Sequence, residues 1–140
     1  MKTVLEYKQE LETALNANKE GYPVLIADGY NVSNNLTSQT IATYLATTGI
    51  CVSICPAVQI QDFKKAGKRS VANLTIDILI ETNPKILKDF CLCDFANQLI
   101  KLIHSIPEQG DSYDWRVMSY VEVEEAPYNG MITVMRGVVI

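Results

Sequence analysis

The chain has 140 residues, 48% of them hydrophobic and 20% charged, a composition of folded domains rather than of disordered segments. Its net charge of −4 argues against a dedicated nucleic-acid binder, whose domain would usually be basic. No apolar run approaches the ~18 residues of a membrane helix, and "MKTVLEYKQELETAL" carries acids and glutamine where a signal peptide needs an apolar centre, so the expected site of synthesis and folding is the cytoplasm.

Residues 3–16 read as an amphipathic helix, with Val4, Leu11 and Leu15 on one stripe and Tyr7 and Ala14 beside it. Gly21 and Pro23 end that pattern. "VLIAD" reads as a short extended segment and "GYNVSNNLTSQ" as a loop; "TIATYLAT" fits a short helix with Ile41, Tyr44 and Leu45 inward, and also fits a strand. From Gly49 the period falls to two. Ile50, Val52 and Ile54 alternate with Cys51, Ser53 and Cys55, and Pro56 marks an edge, a bulge or a break. "FKKAGKRS" is a hairpin tip turning at Gly67. In the return strand Ala72, Leu74, Ile76, Ile78 and Ile80 face one way, and Asn73, Thr75 and Asp77 the other.

Asn83, Pro84 and Pro107 bracket a predicted helix from Pro84 to Ile106, whose stripe of Phe95, Leu99, Leu102 and Ile103 is widened by Leu92, Ala96 and Ile100. After the loop "EQGDSYD" come two strands around Asn129-Gly130, a strong hairpin signal. A two-residue turn there pairs Tyr128 with Met131, Glu124 with Met135, Glu122 with Gly137 and Tyr120 with Val139. That register puts Val117, Val121, Val123, Ile132, Val134, Val138 and Ile140 on the core side. It gathers Met118, Tyr120, Met131 and Met135 on a mixed face with Glu122 and Glu124, a composition that fits an interface between proteins.

These elements make a single α+β domain, residues 1–140, in which two hairpins form an antiparallel sheet with helices packed on one face. Residues that carry chemistry are few. Cys51 and Cys55 are spaced C-x3-C, Cys91 and Cys93 C-x-C, and neither pair completes a zinc knuckle with the single histidine, His104. The four are read as free thiols, with no metal and no other cofactor. His104 reads as a structural histidine near a helix C-terminus, where a cation would meet the dipole favourably, and Glu122, Glu124 and Glu125 as a solvated or interfacial strand face rather than catalytic carboxylates. No phosphate loop, nucleophile elbow or H-E-x-x-H motif is present, so the chain is not expected to be an enzyme. The basic tip concentrates Lys64, Lys65, Lys68 and Arg69 within six positions of an acidic chain. It fits a solvated turn, or a contact with DNA or an acidic partner.

Through "VQIQDFKKAGKRSVANLTIDILIETNP", "DFANQLIKLIHSIP" and "WRVMSYVEVEEAPYNGMITVMRGVVI", residues 50–140 resemble the small tail-terminator and tail-completion proteins of long-tailed phages. Likeness lies in the order helix, hairpin with a basic loop, helix, terminal hairpin. The resemblance implies a non-enzymatic virion or prophage-encoded protein that forms a homo-oligomeric ring, typically a hexamer, capping the tail tube and meeting head-completion proteins. Two other classes compete with it: a small-molecule-binding or enzymatic α+β domain, and a small adaptor or nucleic-acid-binding module.

Overall fold

A computed structural model describes residues 2–16, 34–107, 114–123 and 129–140. The extended segment expected at 24–28, the first five residues of the loop expected at 29–39, the loop at 108–113 and the residues Glu124 and Tyr128 of two expected pairs lie outside the described residues.

Helix α1 spans Val4–Leu15. It begins at a capping box, in which the Glu6 N–H donates to Thr3 Oγ1 and the Thr3 N–H to Glu6 Oε1, both at 3.2 Å. Two of the first-turn donors are thereby satisfied. Its buried side is Tyr7, Leu11 and Leu15, as the stripe predicts, and also Lys8. The Lys8 stem lies in the interior while its Nζ donates to the Pro56 carbonyl at 2.8 Å. Helix α2, Asn34–Thr47, begins earlier than the pattern indicates and packs against the first strand. Ile41, Tyr44 and Leu45 are half-buried on it. Gly49 then turns the chain at φ 83°, with Leu87 and Ile86 so close that an added Cβ would lie 2.8 Å from Leu87. Only glycine meets both demands.

Strand β1 (Ile50–Ala66) and strand β2 (Arg69–Thr82) form a long antiparallel hairpin. Its tip turns at Gly67, φ 66°. Register shifts occur twice. One lies between Ile54 and Val58, around Pro56, where the missing N–H makes a ladder bond impossible. The other lies between Gln61 and Lys64, where Asp62 adopts φ 58°. Strand β3 (Arg116–Glu122) and strand β4 (Gly130–Val139) complete one antiparallel sheet in the order β1-β2-β4-β3. The last strand is therefore central, paired on both sides, which is why it is apolar on both faces.

Helix α3 spans Leu92–His104, not Pro84–Ile106. Asn83 does cap a turn, since its side chain accepts from the Lys85 N–H and its carbonyl accepts from the Ile86 and Leu87 N–H groups. That turn stops because Asp89 takes the left-handed conformation, φ 57°, which a helix cannot contain. Leu87 is meanwhile drawn against Gly49. From Leu92 the pattern holds, with Phe95, Ala96, Leu99 and Ile103 buried.

One core unites these elements. Ile50, Val52 and Ile54 of β1, the predicted five of β2, and Ile132, Val134 and Val138 of β4 cluster with the inner sides of α1 and α3 and with Trp115. Each large side chain so buried is worth ~1.5–3 kcal/mol relative to exposure.

The expected turn at Asn129-Gly130 is not what joins β3 to β4. Glu122 pairs with Gly130 rather than Gly137, Tyr120 with Ile132 rather than Val139, and the Val123 N–H donates to the Asn129 carbonyl at 2.8 Å. A type I′ turn requires positive φ at both central residues, yet the described residues with positive φ are Gly49, Asp62, Gly67 and Asp89. Asn129 is held by β2 instead. Its Oδ1 accepts from the Thr82 N–H at 2.7 Å and from Thr82 Oγ1 at 3.1 Å, and its own N–H donates to the Ile80 carbonyl.

Candidate assembly surfaces

The register decides which sequence-predicted residues meet. Glu122 pairs with Gly130, seven positions from its predicted partner, and an odd slip turns a strand over. Met131 and Met135 keep the face predicted for them, directed away from the buried β4 residues. Tyr120 moves to the other side. It pairs with Ile132, packs against the core and donates its hydroxyl hydrogen to Glu122 Oε1 at 2.8 Å. Burial, and then the Glu122 hydrogen bond and charge, push its phenol pKa up. Met118 sits in the register shift between Val117 and Ser119 and is 56% exposed. The four proposed interface residues therefore do not form one surface. Val121, expected in the core, pairs with Met131 and is 46% exposed.

The sheet face opposite the core has a definite composition. Leu79 pairs with Met131, Thr75 with Met135, and Val71 with Val139, all half-buried. Between them Thr133 Oγ1 donates to Asp77 Oδ1 at 2.8 Å across β2 and β4. Asp77 is thus a cross-strand acceptor on a mixed surface that also carries Asn73 and Thr75.

The basic residues behave as predicted. Lys64, Lys65, Lys68 and Arg69 are all exposed at the end of the β1–β2 hairpin, in a run from Gln61 to Ser70 that is exposed throughout. Within this arm Phe63 is 65% exposed. Asp62 is engaged by Asn73, whose Nδ2 donates to it at 3.1 Å.

Sequence reasoning missed the charged cluster inside the molecule. Arg136, 1% exposed, stands between Val134 and Val138 on the core side of β4. Its guanidinium carbon lies 4.6 Å from the Tyr7 ring centre and 5.5 Å from that of Trp115, and Nη1 lies 3.4 Å from Glu10 Oε2. Lys2 Nζ reaches the same carboxylate oxygen at 3.4 Å. The aromatic faces and the carboxylate make this cation tolerable in a low-dielectric interior. Strict alternation along "ITVMRGVV" carried the signal, because it gives Arg136 the parity of Ile132 and Val134. Beside this cluster, Val4, Tyr7, Ile60, Leu74 and Val138 line an apolar cavity of about 290 Å³ with Lys2 at its wall.

All four cysteines are free thiols; Cys51 is buried and Cys91 and Cys93 are exposed. Burial, and secondarily the charge of Glu81, raise the Cys51 pKa from 9.0 to about 12. The Glu81 carboxyl, paired opposite it, is itself raised by burial. Among the described residues no group of three or more His, Cys, Asp or Glu is placed to hold a metal ion. His104 is exposed at the last turn of α3, and its Nε2 accepts from the Val117 N–H at 3.2 Å, tying α3 to β3. No helix among the described residues is long and apolar enough to cross a membrane. No protein-family model matches the chain, and no curated protein is found to be similar to it.

Proposed function

We propose that this chain is a structural, self-assembling protein of the tail-terminator type, which forms a ring that caps a phage tail tube and meets the head-completion proteins. The observation that carries the reading is the unequal covering of the sheet. One face is filled by α1 and α3, while the other carries Leu79, Met131 and Met135, half-buried, and Val121, exposed, among Asn73, Thr75 and the Asp77–Thr133 pair, and is buried only at its β1 end, at Cys51 and Ser53. Large apolar side chains in that proportion are what interfaces enrich. The order of elements, with a basic hairpin before α3 and a terminal hairpin after it, supports the same reading by resemblance. Light scattering and negative-stain imaging of purified protein test it: closed rings are expected, and a monomer at every concentration overturns it.

A second reading is favoured by the exposed arm, whose four cations are free to meet phosphates. A monomer that binds duplex DNA through Lys64, Lys65, Lys68 and Arg69, with affinity falling steeply as salt rises, would be an adaptor rather than a ring protein.

A further inference from the structure

Among the described residues the exposed large hydrophobic ones are Phe63, Ile86, Met118, Val121 and Ile140. Two of them, Phe63 and Ile140, lie towards the arm, where the Ile140 N–H donates to the Ser70 carbonyl. Two others, Met118 and Val121, lie on β3. Strands β1 and β3 are the two edges of the sheet, separated by β2 and β4, so three strand spacings of ~4.8 Å keep these patches apart within one molecule.

Charge is divided in the same way. The arm, Gln61 to Ser70, holds four basic residues and one acid, +3, which leaves eight basic residues against fifteen acids, −7, on the rest of the chain. Asp62 is the arm's one acid, and Asn73 engages it, while Glu122 stands exposed at the end of β3. Two arms brought together would repel, whereas an arm against the body of another copy would attract. The edges differ too. β1 carries Pro56, two register shifts and two lysines, devices that discourage strand pairing, while β3 has one register shift, at Met118, and neither proline nor lysine.

We propose that the β1–β2 arm of one copy, through Phe63, Lys64, Lys65, Lys68 and Arg69, docks on the β3 edge of a second copy at Met118, Val121 and Glu122. This rests on the ring-forming reading above and specifies its contact. Because the two surfaces differ, the contact is heterologous: each copy gives an arm and receives one, and the series closes into a ring if the rotation between neighbours allows.

Two variants of the full chain test it by sedimentation at high protein concentration. One reverses the arm (K64E/K65E/K68E/R69E); the other blocks the edge (M118E/V121E), with Met118→Lys alone as a milder form. Circular dichroism checks that each folds. Each variant alone should sediment as a 15.6 kDa monomer. An equimolar mixture should give a heterodimer and nothing larger, since only one intact arm and one intact edge remain. Variants that assemble like the wild type would overturn the proposed contact and leave the ring reading standing. Monomeric variants whose mixture also stays monomeric would show that arm and edge do not meet. A monomeric wild type would overturn the ring reading, and this contact with it.

Discussion

The two hairpins of the sheet carry similar sequence signals and are built differently. In β1–β2 the strands meet at a tight turn that projects past β4, which pairs with β2 as far as Val71, and β1 is an edge strand, so the end of the hairpin is exposed from Gln61 to Ser70. In β3–β4 the glycine of the apparent turn already belongs to β4, and its asparagine is bound to β2. An Asn-Gly pair specifies backbone freedom; it does not specify the partner of the asparagine side chain. Where a strand has neighbours on both sides, the second neighbour and the core decide the register.

The sharpest way to break this comparison is inside β4. Arg136→Ala leaves Glu10 with Lys2 alone as its cationic partner and empties the space beside Tyr7 and Trp115, and should cost ~3–5 kcal/mol in urea unfolding. A register that placed Arg136 in solvent would make the change nearly neutral. Leu99→Ala, at a site 2% exposed, should cost ~2–5 kcal/mol. A loss below half a kcal/mol, on the order of a surface substitution, would mean that α3 turns another face to the sheet.

Next comes a matched pair of turn variants. Asn129→Ala strands the Thr82 N–H and should cost ~1–3 kcal/mol. In parallel, Gly67→Ala should cost ~1–2 kcal/mol, because φ 66° is left-handed and the space around it is open. Rescue of Asn129→Ala by removing the Thr82 hydroxyl would not be expected, since the backbone donor stays unpaired.

A smaller effect is set by pH. Cys51 holds its proton in the folded chain to about 12 against 9.0 when unfolded, so its contribution is complete below 9.0 and declines as pH rises towards 12. The urea midpoint should therefore fall above pH 9, and Cys51→Ser should flatten that part of the curve. At neutral pH a thiol reagent should modify Cys91 and Cys93 quickly and Cys51 only on unfolding. Neutralising Lys64, Lys65, Lys68 and Arg69 should change stability least, by less than about half a kcal/mol, as exposed charges do.

The fold class, helix α1, both strands of the first hairpin and the inward five of β2 were legible because period and breakers agree there. Ile76 and Ile78 could have no other side. Helix α3 was misplaced at its start because Asn83 and Pro84 do begin a turn, and the left-handed Asp89 that ends it has no counterpart in the apolar pattern. The exposed arm was legible in full from four cations around one glycine. The interface set was half legible: Met131 and Met135 follow from alternation within β4, whereas Tyr120 and Met118 depend on a register shift and a loop that alternation does not encode. Arg136 was hidden by charge, which reads as surface unless aromatic partners from distant segments are known to surround it.

Head-to-tail association of whole chains is the claim on which the rest turns, and sedimentation velocity of the wild-type protein across concentration and salt addresses it most directly. The account predicts a discrete closed assembly at a multiple of 15.6 kDa that dissociates as salt rises, because screening weakens the attraction between a +3 arm and a −7 body. A 15.6 kDa species at every concentration and at low salt would contradict it.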